Sequence, residues 1–174
     1  MIEYTLIDDF FIDVDKVRKY ALSLNYEKST NETGWKGFRT PIVDIDLLHY
    51  IKDRLVKIND YFEELNLNIY FHYTIDSTKN DVVNFTETRL HKDSTEWAGV
   101  VYLTPNPKPN SGTTIHNNKG EMVHNIENKY NRLIFYKGDI LHGVLDTFGY
   151  NIENSRLTVT IFGNKLDKTG KTLI

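Results

Sequence analysis

From Asn68 onward the chain is a succession of short, β-favouring segments with no amphipathic helix between them. Residues 69–75, 81–90, 97–104, 112–116, 133–136, 140–145 and 157–162 are rich in branched and aromatic side chains, which fit a pleated, half-buried surface. Turn chemistry divides them, most densely over residues 104–112 with Pro105, Pro107, Pro109, Asn110 and Gly112. Many short strands without interleaved helices predict an antiparallel sandwich or barrel. A jelly roll is the version that closes on itself and leaves a pocket between its sheets.

The front of the chain has a different texture. Residues 4–11 read as a short strand entering a turn. Asp13 reads as a helix N-cap, and residues 16–24 as the helix, because Val14, Val17, Ala21 and Leu24 recur at helical spacing. A longer helix is predicted over 46–65, where Leu47, Leu48, Ile51, Leu55, Ile58, Phe62 and Leu65 form one apolar stripe. Between them, residues 27–41 carry Gly34, Trp35, Gly37, Phe38 and Pro41, which suits a structured loop. That loop is either a lid that closes over a site or an aromatic plug beneath a long connection. A chain of 174 residues is long enough for one domain with a proper core. The expected organisation is one domain over 1–174, with a helical front (1–67) outside a jelly-roll core (68–165).

Composition removes several classes of function. The chain has no cysteine, so thiol catalysis, a disulfide scaffold and a thiolate metal site are excluded, and any metal must be held by N and O ligands. The net charge of −3 gives no basic surface for nucleic acid or an anionic membrane. No secretory leader pattern opens the sequence and no apolar run is long enough to span a bilayer. A cytoplasmic protein acting without nucleic acid or membrane is the expectation.

The chemistry concentrates in His91-Lys92-Asp93, between two β-favouring runs. A His and an Asp two apart on a strand project to the same side. They make two thirds of the 2-His-1-carboxylate facial triad that holds Fe(II) and leaves positions open for substrate and oxygen. His142 is the candidate for the third ligand, since an apolar strand, a Lys137-Gly138-Asp139 turn and then a strand would present it at the mouth of a barrel. A different strand register would put His116 or His124 there instead. Farther on, Arg156, Thr158 and Thr160 share one face of an otherwise apolar strand. An arginine pointing into a barrel is costly unless a carboxylate meets it, and its planar fork suits bidentate binding of one. A structural ion pair with Asp139 or Glu153 is the competing explanation.

In this order, His91-Lys92-Asp93, Val101-Tyr102-Leu103-Thr104, Ser111-Gly112-Thr113, His142 and Arg156-Leu157-Thr158 resemble the Fe(II)/2-oxoglutarate-dependent oxygenases, in particular the prolyl-hydroxylase-like and phytanoyl-type branch. The resemblance covers about residues 85–163. Tyr-Leu-Thr stands where the family has Tyr-Leu-Asn, Ser-Gly-Thr stands for Gly-Gly-Thr, and residues 148–154 form an apparent extra turn before Arg156. The resemblance implies a mainly β fold, a double-stranded β-helix (jelly roll) with two N-terminal flanking helices. It implies Fe(II) bound by His91, Asp93 and His142. It also implies 2-oxoglutarate as co-substrate, with Arg156 on its distal carboxylate and Thr158 and Tyr102 hydrogen-bonded to it. The reaction implied is hydroxylation of a C–H bond in a small molecule, amino acid or peptidyl side chain, using O2 and releasing succinate and CO2. Asp93 favours hydroxylation over halogenation, because related halogenases carry a small residue there. Two other readings of the same residues are a cupin-type metalloenzyme that does not use 2-oxoglutarate and a non-catalytic jelly-roll binding module.

Overall fold

A computed structural model describes residues 4–30, 36–41, 45–76 and 90–165. Ten strands and two α-helices lie in these residues: β1 (Tyr4–Ile7), α1 (Val14–Leu22), β2 (Glu27–Lys28), β3 (Phe38–Arg39), α2 (Ile45–Val56), β4 (Leu65–Thr74), β5 (Trp97–Tyr102), β6 (Thr113–His116), β7 (Met122–Ile126), β8 (Leu133–Lys137), β9 (Leu141–Gly143) and β10 (Arg156–Lys165). The strands form a seven-stranded sheet, ordered β1-β8-β5-β10-β4-β3-β2, and a three-stranded sheet, ordered β7-β6-β9. Every named pairing is antiparallel. The molecule is therefore mainly β, with the two antiparallel sheets and two helices of a jelly roll.

Strand alternation sorts the large sheet into two faces. Along β10, Leu157, Val159 and Ile161 point one way and Arg156, Thr158, Thr160 and Phe162 the other. The first set joins Ile69, Phe71, Val101, Leu133 and Phe135 in a core that also takes Phe10, Phe11, Ala21, Ile51, Leu55 and Phe62 from the helical side. On the second face Ala98, Tyr102, Ile134 and Tyr136 of the large sheet meet Ile115 and Ile126 of the small one. The space between the sheets is thus part apolar and part polar, and the polar side chains come mainly from β10 and β4.

Helix α1 begins where expected: the Asp13 carboxylate accepts from the Lys16 amide at 3.0 Å, which satisfies one of the amides a helix start leaves unpaired. Helix α2 is shorter than its apolar stripe implied. It ends at Val56, and Asn59 caps a separate 3₁₀ turn, Asp60–Glu64. Leu65 opens β4 rather than closing a helix. The stripe misled because Phe62 and Leu65 still enter the same core, and an i, i+3 spacing serves a 3₁₀ turn as well as a helix.

The predicted strand over 81–90 lies outside the described residues except for Leu90, which is not in a strand. Residues 117–130, where no strand is predicted, contain β7, and the predicted loop 27–41 contains β2 and β3. Gly37 is held in this connection with φ near +100°, where an added Cβ would stand 2.5 Å from the Tyr73 carbonyl oxygen. Only glycine combines that backbone with that approach. Among the described residues, no helix is long and apolar enough to cross a membrane.

Phe135 is fully buried and stacks on Trp97 at 5.4 Å and edge-on to Phe62 at 5.2 Å. Phe135→Ala is expected to lower unfolding free energy by about 3–5 kcal/mol, read as a lower urea midpoint. Tyr150→Ala, at a side chain 68% exposed, should leave the midpoint where it is; equal effects would contradict this packing.

Candidate metal centre

His91 and His142 meet across the edge of the small sheet. Their backbones exchange two hydrogen bonds, His91 N to His142 O and His142 N to His91 O, both 2.9 Å. The pairing aligns His91 with His142, and His142 with Ile115 of β6, so both imidazoles project to the face that looks at the large sheet. Their ring centroids are 4.3 Å apart. Asp93 is fixed two residues on by its amide, which donates to the Gly138 carbonyl at 2.8 Å. Side-chain ligand atoms of His91, Asp93 and His142 all lie within 4.8 Å of one another. His142 Nε2 is 3.4 Å from Asp93 Oδ2, and His91 Nε2 is 3.8 Å from Asp93 Oδ1.

The protonation states suit metal binding. His142 donates from Nδ1 to the Ile140 carbonyl at 2.9 Å, which leaves Nε2 as the lone-pair nitrogen on the Asp93 side. Burial, then the neighbouring His91, holds His142 down to about 4, so it is neutral at physiological pH. Burial raises the Asp93 carboxyl, while His91 and Arg39 pull it the other way. The Tyr136 ring lies 4.7 Å from the His142 ring and walls the centre from the large sheet. His91, with a side chain 52% exposed, is the open edge. His116 and His124 are placed elsewhere. The His116 ring nitrogens bond Gly120 O and Thr114 Oγ1, both at 3.0 Å, and His124 meets Tyr4 edge-on at 5.3 Å.

Gly138 makes this geometry possible. A Cβ there would stand 1.9 Å from the Thr95 carbonyl oxygen and 3.5 Å from Asp93 Cβ. The Lys137-Gly138-Asp139 turn thereby presses directly against the Asp93 segment.

The second part of the site is a row across the large sheet. Register aligns Arg39 of β3, His72 of β4, Thr158 of β10 and Tyr102 of β5, and partners in register share a face. Arg156 sits two residues before Thr158 on that same face. It is 95% buried (5% exposed), donates from Nε to the Ser111 carbonyl at 2.8 Å, and lies with its guanidinium carbon 5.4 Å from the Tyr102 ring centre. Among the described residues no carboxylate pairs with it, so the expected alternatives, Asp139 and Glu153, are not its partners. The extra turn at 148–154 does not displace it from the inter-sheet face. The hydroxyls of Tyr102 and Thr113 are 2.7 Å apart, and Thr158 donates to the His72 carbonyl at 3.2 Å.

Two residues of this row carry more of the site than their sequence context suggested. Arg39, placed in a loop by the sequence, lies over the rings of Tyr70 and Phe162 at 5.2 and 5.5 Å. Burial pulls it down to about 10, against Tyr70 and Asp93, so it stays charged. His72, which the sequence pattern does not single out, bonds the Lys36 carbonyl through Nε2. Burial, then Arg39, holds it down to about 3. The period-two alternation of Tyr70, His72 and Thr74 was the available signal for that face. Phe38, on the opposite face, stacks flat on Tyr73 at 4.5 Å; Trp35 lies outside the described residues.

The sequence matches no protein-family model and no curated protein sequence. Solved structures do resemble it. A prolyl-4-hydroxylase from Pseudomonas putida aligns with a TM-score of 0.66 at 16% identity, over 95% of this chain and 94% of that one. An oxidoreductase of the 2OG-Fe(II) oxygenase family from Burkholderia pseudomallei gives 0.67 at 12% identity, over 98% and 88%. HygX from Streptomyces hygroscopicus, solved with nickel and 2-oxoglutarate bound, gives 0.59 at 12% identity, over 93% and 82%. The chain has the fold of the Fe(II)/2-oxoglutarate oxygenases.

Two outcomes are expected. Gly138→Ala should lower metal affinity at least about tenfold while leaving the helical core intact, read by metal titration alongside urea unfolding; unchanged affinity would detach the turn from the centre. Because His72 is held below its unfolded value of about 6.5, the unfolded chain binds a proton between pH 6.5 and 3 that the folded one refuses. Stability should then fall as pH drops through that window, by up to ~1.4 kcal/mol per unit. His72→Gln should flatten the slope of unfolding free energy against pH, and an unaltered slope would contradict the assignment.

Proposed function

We propose that this chain is an Fe(II)- and 2-oxoglutarate-dependent dioxygenase that hydroxylates a C–H bond of a small-molecule, amino-acid or peptidyl substrate. The observation that carries the reading is the convergence of His91, Asp93 and His142, together with a buried Arg156 on the large sheet that no carboxylate pairs among the described residues. Two imidazoles and one carboxylate, with no thiolate, form the donor set that suits Fe(II) with open positions. The Arg156 guanidinium fits a co-substrate carboxylate, since a buried cation of this kind is stabilised by an anion. The fold shared with a prolyl-4-hydroxylase and with HygX, solved with iron and with nickel and 2-oxoglutarate, supports the same reading.

In this reading His91, Asp93 and His142 hold the iron, Arg156 holds the distal carboxylate of 2-oxoglutarate, and Tyr102 and Thr158 line its pocket. The bound iron and co-substrate supply oxygen activation, releasing succinate and CO2. The protein's own part is positioning and the exclusion of water. His142 is kept in one tautomer by Ile140, Tyr136 and Phe162 close the pocket with apolar rings, and the exposed side of His91 leaves a path for substrate. Residues 1–174 serve as one oxygenase domain, with O2 and one organic substrate as partners and no nucleic acid.

The test is anaerobic addition of Fe(II) and then 2-oxoglutarate to the purified protein, followed by visible spectroscopy. A weak charge-transfer band needing both additions is expected, and Asp93→Ala should abolish it. Arg156→Ala should weaken 2-oxoglutarate binding by roughly two to three and a half orders of magnitude, given the ~3–5 kcal/mol lost when one partner of a buried charge pair is removed. Metal binding without the band would favour a jelly-roll metalloenzyme that does not use 2-oxoglutarate. No metal binding would leave a binding module.

A further inference from the structure

On the inter-sheet face of β4 and β10, three threonines flank Arg156 and its row, and they do not behave alike. Thr158 donates its hydroxyl to the His72 carbonyl at 3.2 Å, and Thr160 donates to the Tyr70 carbonyl at 3.2 Å. Thr74 lies directly opposite Arg156 in the β4–β10 register. Its side chain is 92% buried (8% exposed), and its Oγ1 has no hydrogen-bond partner among the described residues. A buried hydroxyl without a partner is rare enough to need an explanation. Opposed residues of an antiparallel pair place their Cβ atoms roughly 4.5–5.5 Å apart, so this hydroxyl and the Arg156 side chain leave the sheet side by side.

The orientation of Thr74 is also set from behind. Its Cγ2 packs so close to Gly37 that a Cβ there would stand 2.9 Å from it. Threonine has few χ1 choices, and a methyl seated against Gly37 leaves the hydroxyl a fixed direction. Arg156 is fixed in the same way, by its Nε bond to Ser111 O.

We infer that Thr74, rather than Thr158, supplies the hydroxyl that completes the Arg156 anchor, donating to the distal carboxylate of the co-substrate dicarboxylate. The inference rests on the 2-oxoglutarate reading above. It divides the roles of the row: Arg156 gives the charge, Thr74 gives the neutral donor, and Thr158 holds β4 to β10.

The experiment measures dissociation constants for the Fe(II)-loaded protein under argon, with 2-oxoglutarate and with pyruvate as probes. Pyruvate keeps the keto-acid end and lacks the distal carboxylate. Thr74→Val, which preserves shape and removes the hydroxyl, should weaken 2-oxoglutarate roughly ten- to a hundredfold and leave pyruvate unchanged. Thr74→Ser should keep wild-type affinity for both, and Thr160→Val, farther along the same face of β10, should shift neither probe more than about twofold. An unaltered 2-oxoglutarate constant in Thr74→Val overturns the inference, as does equal weakening of both probes or a loss confined to Thr158→Val. Wild-type protein that binds Fe(II) but not 2-oxoglutarate overturns the oxygenase reading itself, and that outcome is visible before any variant is made.

Discussion

The structure depends on a guanidinium being carried into the interior on a strand that is otherwise apolar. Strand β10 is paired on both sides along most of its length, to β4 and to β5, so its alternation is locked. A slip of one residue would send Arg156, Thr158 and Thr160 into the helical core and Leu157, Val159 and Ile161 into the pocket. Burying an unpaired charge costs several kcal/mol, and the fold offsets part of it with the Ser111 carbonyl and the Tyr102 ring. The rest of the inter-sheet space follows from that placement. Polar side chains gather on β4 and β10, and apolar ones close the other half.

The candidate metal centre rests on a different device, backbone pairing between segments distant in sequence. His91 and His142 are held by two main-chain bonds and Asp93 by a third, to Gly138 of the turn, so the candidate ligands are placed by backbone pairing. The cost falls on Gly138, where the turn approaches Thr95 too closely for any side chain. A ligand set built this way forms only when the small sheet has closed on the Asp93 segment, so it is specified by the fold as a whole.

This division explains what the sequence discloses. His91-Lys92-Asp93, His142 and Arg156 stood out as candidates because their signals are local: a two-residue spacing, a strand after a turn, and a charge in an apolar alternation; the structure brings the first three side by side. The end of α2 did not stand out, because an apolar stripe continues unchanged through a 3₁₀ turn and into β4. Strand β7 escaped because it lies at an edge, and Met122, Val123, His124 and Asn125 are all exposed, leaving no alternation to read. Strands β2 and β3 are two residues each, too short for any period, and Arg39 was hidden with them. Thr74 carries no signal of its own. Its meaning comes from the residue opposite it, and register between β4 and β10 is not written in either strand alone.

The charge pattern of the row makes the last link between fold and chemistry. Arg39 and Arg156 lie on the same face with His72 between them, and burial together with both cations keeps that imidazole neutral. Replacing His72 by a lysine would put a third cation beside Arg39 and Arg156, whereas a neutral imidazole fills the volume and still bonds the Lys36 carbonyl. Across the pocket burial acts on the candidate ligands in the same way. It raises the Asp93 carboxyl and lowers His142, disfavouring charge on both. A divalent cation among them would reverse the preference at Asp93 and would require the neutral form at His142, because metal ligands must be deprotonated. The environment that holds His142 neutral is therefore one that would suit it to a metal, and Tyr136 is part of it.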